Sequence, residues 1–465
     1  MGDTIMIRAA HYALLIAIVF GWSNACSAGP NEEANKLFVE AQQLLEKAAR
    51  QKSAEKIPTL REAEDRLKSI VSQYPSANLA VQLASGQSVG KVSRQNVSDA
   101  ITTAERDACF EAPTKACIFQ QAVRNAEAAK DGAPLVQSAG MGVIFTRLNF
   151  YERLAQAQAS AGMSQAANQS ADKVLEIYSA GKEPWVRTNG LFSVLPALAI
   201  VGRTNEALQL LDATTDMQRR PTDTLLREYL LLALARAQYA AGKKADAEAA
   251  TKQALQTAWS SNDVRILANL ATMLAKLGLD KEASATIDQA AQAAASITPS
   301  NADFHNVRFT TLVSVAQAQA TLGRTIEAKA VLAKLLEQVR REPTYRDINL
   351  FQLFNGNASI AALMDVKDLA ESTSNDQLKA AVLCAGAIGR ANAGNISEAQ
   401  TVMYSIKRDY SKVLALSAIA QAQMKAKLQS QANSTIEYAL RTIKSLPEPA
   451  ERAEALLAIA EAVAN

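Results

Sequence analysis

Over most of its length the chain carries apolar residues at helical spacing, in long Ala- and Leu-rich stretches that single glycines interrupt. Aligned on those glycines, the stretches share a register. Gly162, Gly202, Gly242, Gly278, Gly323 and Gly394 are each followed five residues later by an alanine, at Ala167, Ala207, Ala247, Ala283, Ala328 and Ala399. A seventh copy has Lys427 in place of the glycine and keeps Ala432. Seven residues before the anchor a small residue recurs, at Ala155, Ala235, Ala271, Ala316, Ala387 and Ala420; the second copy departs from this with Leu195.

The pattern predicts one pair of antiparallel helices per copy. The first helix ends at the glycine, which tolerates a left-handed C-cap, and the second begins almost at once. Its alanine lets the two backbones approach closely. Successive anchors lie 40, 40, 36, 45, 71 and 33 residues apart, so the interval of 71 predicts a degenerate copy near residues 355–371. Each pair leaves an apolar face that only a neighbour can cover, so the copies are expected to stack.

In this register the sequence resembles the tetratricopeptide-repeat superfamily: a small residue in the first helix, a glycine at the turn, an alanine five later, and a second small residue matched at Ala254, Ala290 and Ala439. The resemblance covers roughly residues 140–445. It implies an all-α, right-handed α-solenoid that binds protein or peptide through the groove lined by its first helices. There Gln156, Arg236, Thr272, Gln317 and Gln421 would form a polar, weakly charged row for an extended peptide or an acidic loop. Two features depart from the family. Gln158, Gln238, Gln319 and Gln423 stand where an aromatic residue is usual, and the closing prolines come late, at Pro184, Pro221, Pro299, Pro343 and Pro447. The second glutamine of each copy has an alternative reading, as a hydrogen-bonding link between adjacent repeats.

Residues 29–135 lie outside this register and predict an N-terminal helical region, with the repeats occupying 136–465. Residues 451–464 predict a final helix with Glu or Arg on its outer face, suited to capping the end of a solenoid. The first 28 residues read as a secretory signal: Arg8, an apolar run from Ala9 to Trp22, then small residues. Two exits compete, one after Ala28 and one that leaves Cys26 first for lipid attachment. The apolar run is short for a membrane span, which needs about 20 residues, so no transmembrane span is expected after cleavage. The expected location is the periplasm or envelope of a bacterium.

That compartment changes the reading of the cysteines. Cys109 and Cys117 flank Pro113, which breaks any helix between them and lets the chain fold back, so a disulfide is expected. Cys384 reads as a buried core thiol. Composition then narrows function. Forty-nine basic and 46 acidic residues are mixed along the chain, which leaves no field that would favour nucleic acid or a membrane surface. Of two histidines only His305 follows the signal, which argues against His-based triads and multi-histidine metal sites.

Leu83–Ser88 imitates the opening of a helix-turn-helix, and Glu371-Ser372 imitates the catalytic dipeptide of lytic transglycosylases. Neither has the remainder of its site. Arg219-Arg220 and Arg340-Arg341 read as cations at helix C-termini. The expectation is a scaffold or adaptor without catalytic residues, cofactor or metal. The alternative is a helical accessory that binds cell-wall glycan or an enzyme acting on it, for which Trp185 and Trp259 would be the main stacking aromatics.

Overall fold

The computed structural model describes residues 29–129, 147–181, 189–217, 223–261, 263–296, 302–341, 345–354 and 357–464. Residues 1–28 with Cys26, the prolines 184, 221, 299 and 343, Trp185, Arg219 and Arg220 lie outside these residues, as does the side chain of His305. Among the described residues there are 23 helices and no strand. The one β-type contact is an isolated bridge between Val89 and Val92. The chain divides into two compact units, residues 1–112 and 113–465.

The first unit holds α1 (Pro30–Ala49), α2 (Ser53–Gln73), α3 (Asn78–Ala84) and α4 (Arg94–Glu111). Proline opens α1 and acidic Glu32 and Glu33 follow in its first turn, both favourable where backbone N–H groups are unpaired. Helices α1 and α4 both pack on α2, around a core that includes Phe38, Leu60, Leu67, Ile70, Leu83 and Val97. The helix-turn-helix imitation resolves differently. After α3 the chain turns at Gly86, doubles back through the Val89–Val92 bridge, and enters α4 at Ser93, whose Oγ accepts the Asn96 N–H.

The second unit opens with α5 (Lys115–Ala128) and then builds pairs: α6 (Arg147–Ser160) with α7 (Ser164–Ala180), α8 (Leu191–Ile200) with α9 (Thr204–Met217), α10 (Asp223–Ala240) with α11 (Lys244–Ser261), α12 (Val264–Leu277) with α13 (Asp280–Ser296), and α14 (Ala302–Thr321) with α15 (Thr325–Arg341). The degenerate copy is three short helices, α16 (Arg346–Phe354), α17 (Ala358–Ala361) and α18 (Val366–Glu371). Two further pairs follow, α19 (Asp376–Asn392) with α20 (Ile396–Met403) and α21 (Asp409–Lys425) with α22 (Gln429–Ile443), before the last helix, α23 (Pro449–Ala464).

The seven turns have one chemistry. Every anchor glycine is left-handed, with φ between 74° and 92°. The residue after it donates its N–H back to the carbonyl five residues earlier at 2.8–2.9 Å, as Met163 does to Gln158 and Lys243 to Gln238. Lys427 keeps this geometry with φ 61°, the one positive φ outside glycine among the described residues, and Leu428 donates to Gln423. The seven alanines five residues on are all buried, none above 1% exposure. A different close approach occurs at Gly386 and Gly389 in α19, where an added Cβ would collide with Val366 and with the Ala358 carbonyl.

First helices pack on the next first helix in order: α6 on α8, α8 on α10, α10 on α12, α12 on α14, then through α16 and α17 to α19, α21 and α23. Two expectations need correction at the ends of this row. Residues 115–128, expected in the N-terminal region, fall in the second unit, because α5 packs along α23 as a second helix packs on its first. For the same reason α23 is not an exposed cap. Ala453, Leu456, Leu457, Ile459, Ala460 and even Glu454 are buried, since α23 meets α5, α21 and α6. A helix apolar on all sides has to be enclosed.

The Lys427 turn can be tested directly. A non-glycine residue in the left-handed region costs about 1 kcal/mol. Lys427→Gly should therefore raise stability by about that amount in urea unfolding. A loss of stability would mean that the exposed lysine side chain supplies more than its backbone strain removes.

Candidate functional site

The five residues expected to line the binding row occupy the same turn of their first helices. Gln156, Thr272, Gln317 and Gln421 are half-buried and Arg236 is exposed. The row is not continuous, because buried Pro196 in α8 and half-buried Ile388 in α19 stand at the equivalent positions. Thr272 bonds its own helix, from Oγ1 to the Ala268 carbonyl at 3.1 Å.

Arg236 is the one charge in that row. Its Nη2 donates to Asn269 Oδ1 on the neighbouring first helix at 2.7 Å, and among the described residues no carboxylate pairs with it. Although open to water, it is crowded by protein at longer range, and that desolvation lowers its pKa.

The second glutamines play another part. Gln158, Gln238, Gln319 and Gln423 are all buried, each at the residue whose carbonyl closes its turn. Ser170 donates to Gln158 Oε1 at 2.7 Å and Thr435 to Gln423 Oε1 at 2.8 Å. Both bonds join the two helices of one pair, which corrects the reading of these amides as links between repeats. Twelve residues after Gln238 and Gln319 stand Ala250 and Val331, which have no side-chain hydroxyl, and there Oε1 has no partner.

Links between pairs come from residues that the glutamine pattern did not reveal. Arg203 bonds Asp172 of the preceding second helix and Glu206 of its own; Arg324 does the same with Asp288 and Glu327. The visible signal is the recurrence Gly-Arg-Thr-Asn-Glu-Ala at 202–207 and Gly-Arg-Thr-Ile-Glu-Ala at 323–328. These carboxylates are partly exposed, so each clamp contributes at most about 1 kcal/mol.

A charged cluster joins α6 to α23. Arg153 donates to Glu454 Oε2 at 2.7 Å and to both oxygens of Glu461 at 2.9 Å. Burial alone would lower the Arg153 pKa, but Glu461 and Glu454 more than offset it and raise the net value. Burial pushes neighbouring Glu152 up to about 7 against the pull of Arg153, and it raises Tyr410 beside Glu454. Arg452 adds a bond from Nε to Asn125 Oδ1 of α5 at 2.9 Å. These groups are committed to one another across the packing contact.

Cys384 is buried, and its thiol is pushed up to about 12 by burial. Glu371 is exposed at the end of α18, and Arg340 and Arg341 are exposed in the last turn of α15. Trp259 is half-exposed on a second helix. A cleft of about 430 Å³ beside α19 is lined by Asp365, Lys367, Arg390 and Glu398, but Arg390 is spent on the Gly386 and Met364 carbonyls. Among the described residues no cluster of His, Cys, Asp or Glu could hold a metal ion. Cys109 and Cys117 lie at disulfide-bonding distance across the turn at Pro113. Comparison with protein-family models gave no match, and comparison with curated proteins gave none.

Glu228 yields a pH prediction. It is 1% exposed in α10, neither carboxylate oxygen has a hydrogen-bond partner, and burial, with Asp263 adding to it, raises its pKa to about 6. A carboxyl raised on folding contributes stability when protonated, and that contribution is lost as pH rises from about 4.5 through about 6. Glu228→Gln should thus stabilise the protein by about 2 kcal/mol at pH 7.5 and by almost nothing near pH 4. Urea midpoints at the two pH values measure this; an equal effect at both would show that ionisation of Glu228 is not what costs stability.

Proposed function

We propose that this chain is an exported scaffold or adaptor of the bacterial periplasm or envelope, and that it binds another protein along the row of its first helices in the manner of a tetratricopeptide-like α-solenoid. The observation that carries this reading is Arg236, a solvent-open guanidinium without a carboxylate partner among the described residues, in a row whose other polar members, Gln156, Thr272, Gln317 and Gln421, are neutral. The packing supports it. First helices touch their neighbours in series while second helices make no comparable contact with each other, as expected if the row curves with the first helices inside.

The disulfide-distance cysteine pair favours an oxidising compartment, in keeping with the signal-like start of the sequence. No described helix is long and apolar enough to cross a membrane, and attachment through Cys26 stays part of the proposal. No reaction is assigned: the cluster of Arg153, Glu454 and Glu461 is held in the packing contact between α6 and α23.

The test is affinity capture from envelope extract, with wild type and Arg236→Ala as bait. The exposed position predicts loss of the captured partner with unchanged helix content and a stability change within about 0.5 kcal/mol. Undiminished capture by the variant, or binding to sedimented peptidoglycan in place of protein, would overturn the reading.

A further inference from the structure

The core of the first unit is open along one edge. Leu60 of α2 and Ala104 of α4 are buried in it, and Leu45 of α1 and Ala100 of α4 pack against it half-buried. All four also line a cleft of about 510 Å³. Since α1 and α4 each pack on α2, α2 forms the floor of this cleft and the other two helices its walls. On α4 the lining runs from Asn96 to Asp107, which is three turns, about 16 Å of helix. Ala49, Ala100 and Ala104 keep the walls low, so another backbone can come close. A groove of this length, walled by two helices and floored by a third, fits the apolar face of a fourth.

Two charges on the groove have no counterpart in the chain. Asp99 is exposed and accepts a bond from the Gln95 side-chain amide at 2.8 Å, but no cation pairs with it among the described residues. The half-buried Lys56 side chain has neither a hydrogen bond nor an ion pair among them. Asp107, on the same wall as Asp99, is already paired with Arg106 at 3.1 Å. Hydrogen bonds from Ser53 to Glu111 and from Arg61 to Glu105 fix the antiparallel register of α2 on α4. Between them Lys56 faces residues 108–110, which sets it about 15 Å along the groove from Asp99.

We infer that this groove binds one amphipathic helix of a partner protein, its apolar stripe turned to Leu45, Leu60 and Ala100. The helix carries a basic residue at the Asp99 end and an acidic residue at the Lys56 end. The stripe covers the core edge that the unit leaves open, and the two opposite charges fix the register of the helix in the groove. This surface belongs to the first unit, and its use does not depend on the Arg236 row.

The test uses the full chain and three labelled eighteen-residue peptides of Leu, Ala and Gln, acetylated and amidated so that no terminal charge is present. The first has its Leu residues on one helical face, with a Lys and a Glu three turns apart beside them. The second has Gln in place of that Lys and Glu. The third has the composition of the first, with the Leu residues scattered round the helix. Fluorescence anisotropy at low salt should show the first binding about fivefold more tightly than the second, and the third not binding. Asp99→Asn and Lys56→Gln should each remove part of that preference, and the double variant all of it. Ala49→Trp, which fills the groove from an exposed position, should abolish binding of the first two peptides, whereas Arg236→Ala should change neither. No binding of the first peptide, equal binding of the first and third, or intact binding to Ala49→Trp overturns the groove as a helix site. Equal affinity for the first and second overturns the charged register. If Ala49→Trp instead dissociates an oligomer of the chain in size-exclusion chromatography, the occupant is a second copy and the inference fails.

Discussion

Seven times in the second unit the chain reverses direction through a single left-handed residue, and the alanine five residues later is buried against the helix just left. The rest of the unit depends on that constraint. A larger side chain at the alanine would overpack the pair at a cost of about 1–3 kcal/mol. The turn admits only a residue that tolerates positive φ, which glycine does without strain and Lys427 does with it. The same turn directs Gln158, Gln238, Gln319 and Gln423 inward, so their amides sit between the two helices and need an internal donor. Ser170 and Thr435 provide one.

A pair so built cannot bury its outer apolar face alone, and a row of pairs has two ends with the same need. In this protein the ends answer each other. The last helix, α23, takes α5 as its second helix and touches α6, so the contacts of the row return to their starting point. Arg153, held between Glu454 and Glu461, joins residues more than 300 positions apart. Glu454 is buried, and removing one partner of such a pair typically costs about 3–5 kcal/mol because the other charge is left unpaired. This buried ion pair thus lies where the row closes on itself.

Much of this was legible in the residues. The Gly-to-Ala register located all seven turns and all seven buried alanines, and Pro113 between two cysteines announced the fold-back at 109–117. What local periodicity does not encode is the choice of a distant partner. The Glu and Arg residues of 451–464 suggest an outer face and hence a cap, yet Glu454 and Glu461 are seven apart and share the face turned to Arg153. The near-uniform apolarity of α23 was the available warning. Arg203 and Arg324 were hidden for another reason: their acidic partners, Asp172 and Asp288, stand on the preceding pair, so only the repeated Gly-Arg-Thr-x-Glu-Ala segment betrays them. The site is less legible than the fold. Position along the helix identified Arg236, but the lack of a carboxylate beside it among the described residues is a property of packing.

Helices α5 and α23, from opposite ends of the second unit, form one pair. Helices that pack as a pair open together in native-state hydrogen exchange under increasing denaturant. Amides of residues 115–128 and 449–464 should therefore exchange with the same free energy and the same denaturant dependence, despite their separation in sequence. If residues 115–128 instead open together with residues 94–111 while 449–464 stay protected, the pairing of α5 with α23 is wrong.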